Sequence, residues 1–162
     1  MSIITICTDA SFNRKRKIAT YAFYIRFGHN KIVGKGMLRG KTENPQDAEM
    51  KAVGNAAHVL LKKNIGYFNK IIINTDSKCM SHKLFVREKK GRVTKKLAEI
   101  LTSLVENVSD PKSLPATIEI RHVKAHTESK EKRSLANEFC DMGAKEEMGK
   151  YIFIFDNKKK SI

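Results

Sequence analysis

The chain has 162 residues, 41% hydrophobic and 30% charged, which fits one domain with a core large enough to fold without disulfides or a structural metal. Its 32 Lys+Arg against 17 Asp+Glu leave a formal charge of +15, an excess that points to a polyanionic partner, nucleic acid before an anionic membrane surface. Three cysteines (Cys7, Cys79, Cys140) without a CxxC pair exclude a disulfide scaffold or zinc site, and no apolar stretch reaches spanning length, so an intracellular, reducing, cytoplasmic setting is expected, with no membrane partner.

Residues 3–9 are apolar and β-branched and predict a central strand ending at Asp9. The basic run Arg14–Lys17 interrupts, Ile18–Phe27 alternates as a second strand, and Gly28-His29-Asn30 turns the chain into a third strand over Lys31–Leu38. Asn44-Pro45 opens a helix, with Asn at the N-cap, Pro at the first helical position, and Asp47 and Glu49 near its positive end. That helix should run to about Lys63 and bury Ala48, Ala52, Val53, Ala56, Val59 and Leu60. Lys70–Thr75 is almost wholly apolar, the pattern of a parallel strand covered on both faces, and ends at Asp76. Helix is expected from Ser77 and again from Arg92 to Asn107, a last strand over Thr117–Val123, and a last helix over Ser134–Met148. The fold class is α/β: a five-stranded mixed sheet flanked by helices, three antiparallel strands followed by strand–helix units. The domain is expected to occupy residues 1–149, and residues 150–162 to form a basic tail, with Tyr151–Phe155 an added strand or a surface segment and the remainder loose.

Four carboxylates fall at strand ends or on helices: Asp9, Glu49, Asp76 and Asp141. Taken singly, each has a plainer explanation. Asp9 can cap a turn with Ser11, Glu49 can favour a helix N-terminus, Asp76-Ser77 can cap a helix, and Asp141 can be a solvated acid. Together, in a strongly basic protein, uncompensated acids at the rim of a core point to divalent-metal chemistry on phosphate.

The strings Thr8-Asp9-Ala10-Ser11, Asn74-Thr75-Asp76-Ser77, His122-Val123-Lys124-Ala125-His126 and Asn137-x-x-Cys140-Asp141-x-x-Ala144, in this element order, resemble type 1 ribonuclease H over residues 3–148. The resemblance implies hydrolysis of the RNA strand of RNA–DNA hybrids by two Mg²⁺ ions, with Mn²⁺ able to substitute, giving 5′-phosphate and 3′-hydroxyl ends. It implies that Asp9 and Asp141 hold one ion, that Asp9, Glu49 and Asp76 hold the other, and that His126 assists water activation or product release. It places Ser11, Asn13, Arg14, Lys15, Asn44, Gln46, Ser77, Lys89, Lys90 and Lys124 at the nucleic acid, acting as a monomer without a small-molecule cofactor. Pro45 stands where the family carries the first of two polar residues before the helix glutamate, which leaves Gln46, with Asn44 as a substitute, to sense the 2′-hydroxyl. The chain has no Trp for the family's basic protrusion. A junction resolvase of the same fold and a non-catalytic hybrid-binding module are the other readings. The first predicts cleavage of branched DNA; the second has no use for four mutually repelling acids.

Overall fold

The computed structural model describes residues 2–78, 80, 84, 91–123 and 132–160, with the side chains of residues 132–134, 155 and 158–160 outside that description. Strands β1 (Ile3–Asn13), β2 (Ile18–Phe27) and β3 (Asn30–Met37) precede helix α1 (Pro45–Leu61). Strand β4 (Lys70–Thr75), helix α2 (Arg92–Val108), strand β5 (Thr117–His122) and helix α3 (Lys132–Lys160) complete the order. The sheet runs β3-β2-β1-β4-β5, antiparallel across β1, β2 and β3 and parallel from β1 through β4 to β5. This is the mixed sheet expected from the sequence.

The apolar runs of β1 and β4 end up side by side in the middle of the sheet because helices cover both faces there. On one face Ile4, Ile6, Ile25, Ile71 and Ile73 pack with Val53, Ala56 and Leu60 of α1 and with Leu97, Leu101 and Leu104 of α2. On the other, Cys7 and Ala22 meet Ala136, Cys140 and Ala144 of α3. Two glycines set close approaches. A Cβ on Gly34 of β3 would lie 2.5 Å from Cζ of Phe23, the residue paired with it across the sheet, and a Cβ on Gly143 would lie 3.0 Å from Cβ of Ala22. The second contact lets α3 lie flat on β2, where Thr20 donates a hydrogen bond to the Ala144 carbonyl at 2.6 Å.

Helix α1 begins as the sequence demands. Pro45 takes the first turn, and Asn44 Oδ1 accepts from the Asp47 N–H at 2.9 Å, a cap worth about 1 kcal/mol. Between β4 and α2, Met80 and Leu84 are helical and buried on the stretch expected from Ser77.

The C-terminal expectation needs correction. Of the two alternatives for Tyr151–Phe155 the surface segment holds and the strand does not, and the backbone of residues 156–160 is helical, not loose, because α3 continues without a break through Gly149 to Lys160. Half-buried Tyr151 and Ile152, and an ion pair between Asp156 and Arg16 of the β1–β2 turn, hold the added turns against the domain. Among the described residues, no helix is long and apolar enough to cross a membrane.

Candidate active site

Parallel pairing of β1 with β4 brings Asp9 and Asp76 to the same edge of the sheet, since Cys7 pairs with Asn74 and both acids lie two residues further along. Glu49 comes up from the second turn of α1. One carboxylate oxygen from each of Asp9, Glu49 and Asp76 lies within 4.8 Å of the others. The backbone N–H of Ala10 serves two of them, donating to Asp9 Oδ1 at 2.8 Å and to Glu49 Oε1 at 3.3 Å. Asp141, on the third turn of α3, lies near enough for its carboxyl to help raise that of Asp9, and its Oδ2 accepts from Lys145 Nζ at 2.9 Å.

The electrostatics follow from that crowding. Burial, then the neighbouring charges of Asp76 and Asp9, push the Glu49 carboxyl up to about 10, against only one lowering contact, from the Ala10 N–H. Burial and the charge of Asp76, followed by the nearby Asp141, raise Asp9 to about 7. Cys140, buried beneath the cluster, has its thiol pushed well up by desolvation and donates to the Cys7 carbonyl at 3.3 Å. It therefore stays a neutral thiol and packs as a small apolar residue.

A divalent cation is tested for fit by the donor atoms themselves. Glu49 Oε2 is buried and has no hydrogen-bond partner among the described residues. Such an orphaned acceptor costs on the order of 1–3 kcal/mol unless something fills its coordination. The group offers only hard oxygen donors and an excess of negative charge, the set that suits Mg²⁺-type ions. The residues fit.

The other residues singled out in the sequence are spread around this cluster. Ser11 lies two residues beyond Asp9 on β1, paired with Thr20. Asn13 ends the strand, and its Oδ1 accepts from the Arg16 N–H at 2.9 Å, which closes the turn that exposes Arg14 and Lys15. Asn44 and Gln46 are exposed at the start of α1, the Asn44 side-chain Oδ1 being occupied by the cap it accepts from the Asp47 N–H. Ser77 follows Asp76, its N–H donating to Thr75 Oγ1 at 3.1 Å. His126, Lys89, Lys90 and Lys124 lie outside the described residues. Sequence reasoning passed over Lys145, whose spacing of four from Asp141 on one helix was the available signal. It also passed over the Ala10 amide, which no sequence pattern announces.

The RNase H family model matches residues 1–149. Among solved structures the chain is similar to RNase H1 from the halophilic archaeon Halobacterium salinarum NRC-1, with a TM-score of 0.62 and 16% identity over 91% of this chain and 98% of that one. It is also similar to the N-terminal RNase H domain of Rv2228c from Mycobacterium tuberculosis, solved as a maltose-binding-protein fusion, with a TM-score of 0.57 and 16% identity over 92% of this chain and 95% of that one. At such identity the structural likeness speaks for the fold alone. No curated protein matches the chain. With the family model spanning both sheet faces and all four acids, the chain belongs to the RNase H family.

Proposed function

We propose that the protein is a divalent-metal-dependent endoribonuclease that hydrolyses the RNA strand of RNA–DNA hybrids. The observation that carries this reading is the convergence of Asp9, Glu49 and Asp76, with a Glu49 oxygen that has no partner among the described residues, in a chain of net charge +15. In this reading Asp9, Glu49 and Asp76 hold one ion, and Asp9 with Asp141 holds a second. When bound, Mg²⁺ (or Mn²⁺) supplies Lewis-acid activation of the attacking water and charge stabilisation at the leaving 3′-oxygen.

The chain's own groups do the rest. The Ala10 amide fixes Asp9 and Glu49 in register, so the ligands are oriented before any ion arrives. Arg14, Lys15, Lys89, Lys90 and Lys124 take the phosphate backbone, with Ser11, Asn13 and Ser77 as neutral donors beside it. Gln46 and Asn44 meet the 2′-hydroxyl, which separates RNA from DNA. His126 takes or returns a proton at the scissile phosphate. Products carry 5′-phosphate and 3′-hydroxyl ends, and the protein acts as a monomer, without a small-molecule cofactor, in the reducing cytoplasm.

The test is a substrate panel of RNA–DNA hybrid, double-stranded RNA and a four-way DNA junction, each with Mg²⁺ and with EDTA. The reading expects Mg²⁺-dependent cleavage confined to the RNA strand of the hybrid. Cleavage of the junction points to a resolvase, and tight hybrid binding without cleavage points to a binding module; either result overturns it.

A further inference from the structure

Helix α3 runs 11 residues past the end of the family match at Gly149, to Lys160. These added turns lie beside the β1–β2 turn, because Asp156 is ion-paired with Arg16. On the turn, Arg14, Lys15 and Lys17 are exposed; on the helix, Lys150 is exposed, and Lys158-Lys159-Lys160 closes the element. Of the nearby acids, Asp156 is engaged with Arg16, Glu146 with Lys35 at 3.1 Å, and Glu43, whose carbonyl accepts from Lys17 Nζ, with Lys41 at 3.8 Å, while Glu147 is buried. Among the described residues, no ion pair engages Arg14, Lys15, Lys17 or Lys150. Two elements far apart in sequence are thus joined by the Arg16–Asp156 pair; Arg14, Lys15, Lys17 and Lys150 are exposed on them, and the sequence adds three lysines at the end of the helix. The β1 end of this surface is four residues beyond Asp9, roughly 13 Å along an extended strand.

We propose that the β1–β2 turn and residues 150–160 of α3 form one basic ledge that grips the phosphate backbone of the hybrid beyond the cleavage site, with the Arg16–Asp156 ion pair as the strut that holds the helix in place. The inference rests on the proposed substrate and adds a binding element outside the matched family domain. A helix C-terminus attracts cations to its own dipole, but that effect falls off within one turn and does not account for the cations of the neighbouring hairpin. An anionic membrane is the competing partner for a segment containing Tyr151–Phe155. Tyr151 and Ile152 are half-buried against the protein, however, so that among the described side chains of residues 150–157 Phe153 (68% exposed) and Ile154 (38%) are the large apolar groups facing outward; exposed Leu135, Phe139 and Met142 lie about three to five turns earlier on the helix. That is little apolar area for insertion at a lipid interface.

The test uses the full chain and measures affinity for an RNA–DNA hybrid in EDTA across a salt series, alongside cleavage in Mg²⁺ and binding to phosphatidylserine vesicles. The triple variant Lys158→Gln/Lys159→Gln/Lys160→Gln is expected to bind about tenfold more weakly at physiological salt, with its log–log salt slope shallower by about 2–3. Its turnover at saturating hybrid should be unchanged. Asp156→Lys separates the strut from bulk charge: net charge alone predicts tighter binding, whereas loss of the strut predicts weaker binding that Arg16→Asp/Asp156→Lys recovers. Wild-type affinity and slope in the triple variant, tighter binding by Asp156→Lys, or a loss confined to vesicles each overturn the ledge. Should the wild type fail to cleave the hybrid while the slope change persists, the nuclease reading falls and the ledge stands.

Discussion

Glu49 on α1 accepts a hydrogen bond at 3.3 Å from the Ala10 N–H on β1, next to Asp9 in sequence and in space. One backbone donor therefore ties a helix carboxyl to a strand carboxyl and holds the two close enough that ionising both is costly. Glu49 Oε1 is held by the strand, while Oε2 has no hydrogen-bond partner among the described residues. The arrangement is unfavourable for the protein alone and favourable once a cation arrives.

Glu49→Gln should therefore trade function for stability. It replaces a carboxyl that must stay protonated in the metal-free native state at pH 8 with a neutral side chain of nearly the same shape, so the metal-free protein should gain about 1–3 kcal/mol at that pH. Divalent-ion affinity should fall at least about tenfold, because the ligand set loses an anionic oxygen. Urea denaturation in EDTA and Mn²⁺ titration by electron paramagnetic resonance read the two effects separately. A variant that is less stable and still binds Mn²⁺ normally contradicts this account.

The raised carboxyls also set a pH dependence. Glu49 is moved from 4.5 to about 10 and Asp9 from 3.8 to about 7, so over that interval the native state holds protons that the unfolded chain has released. Stability of the metal-free protein should fall as pH rises from about 4, with the Asp9 contribution levelling near 7 and that of Glu49 continuing toward 10. Mg²⁺ should restore more stability at pH 8.5 than at pH 5.5, since the ion needs ionised ligands. Asp76→Asn, which removes a charge acting on both groups, should flatten the curve in EDTA. Urea midpoints at three pH values, with and without Mg²⁺, decide the matter.

Much of this site was legible in the sequence because its parts sit on elements with strong local signals. Asn44-Pro45 fixed the start of α1 and hence the height of Glu49, and the apolar run Lys70–Thr75 placed Asp76 at a strand end beside Asp9. The helix past Gly149 was not legible. Its Tyr151–Phe155 run is continuously apolar and rich in aromatic and β-branched residues, as a short buried strand would be, whereas the contact of Asp156 with Arg16 and the packing of Tyr151 and Ile152 favour helix there. The Ala10 amide was hidden for another reason: every residue has an N–H, and only the fold shows which one lies between two carboxylates.

Gly34→Ala tests the packing that supports β1 from the meander side. The new Cβ would lie 2.5 Å from the buried Phe23 ring, so the ring must move, at a cost of about 1–3 kcal/mol. Phe23→Leu in the same chain should recover part of that loss, giving a non-additive double-mutant cycle by urea denaturation. Additive losses contradict the contact.

Asn44→Ala should cost about 1 kcal/mol by removing the cap on Asp47 N–H, whereas Asn44→Asp keeps the acceptor and should retain wild-type stability. Thermal unfolding of both variants checks this.

The most direct test of the account is single-turnover cleavage of an end-labelled RNA strand in a hybrid by the wild type and by Asp9→Asn, each with Mg²⁺ and with EDTA. Asp9 belongs to the three-carboxylate group, and Asp141 helps raise its carboxyl, so in the proposed reading both ions share it. The account predicts cleavage by the wild type in Mg²⁺ alone and a loss of at least about a hundredfold in Asp9→Asn, with hybrid binding retained. Cleavage that survives EDTA, or that persists at the wild-type rate in Asp9→Asn, would contradict it.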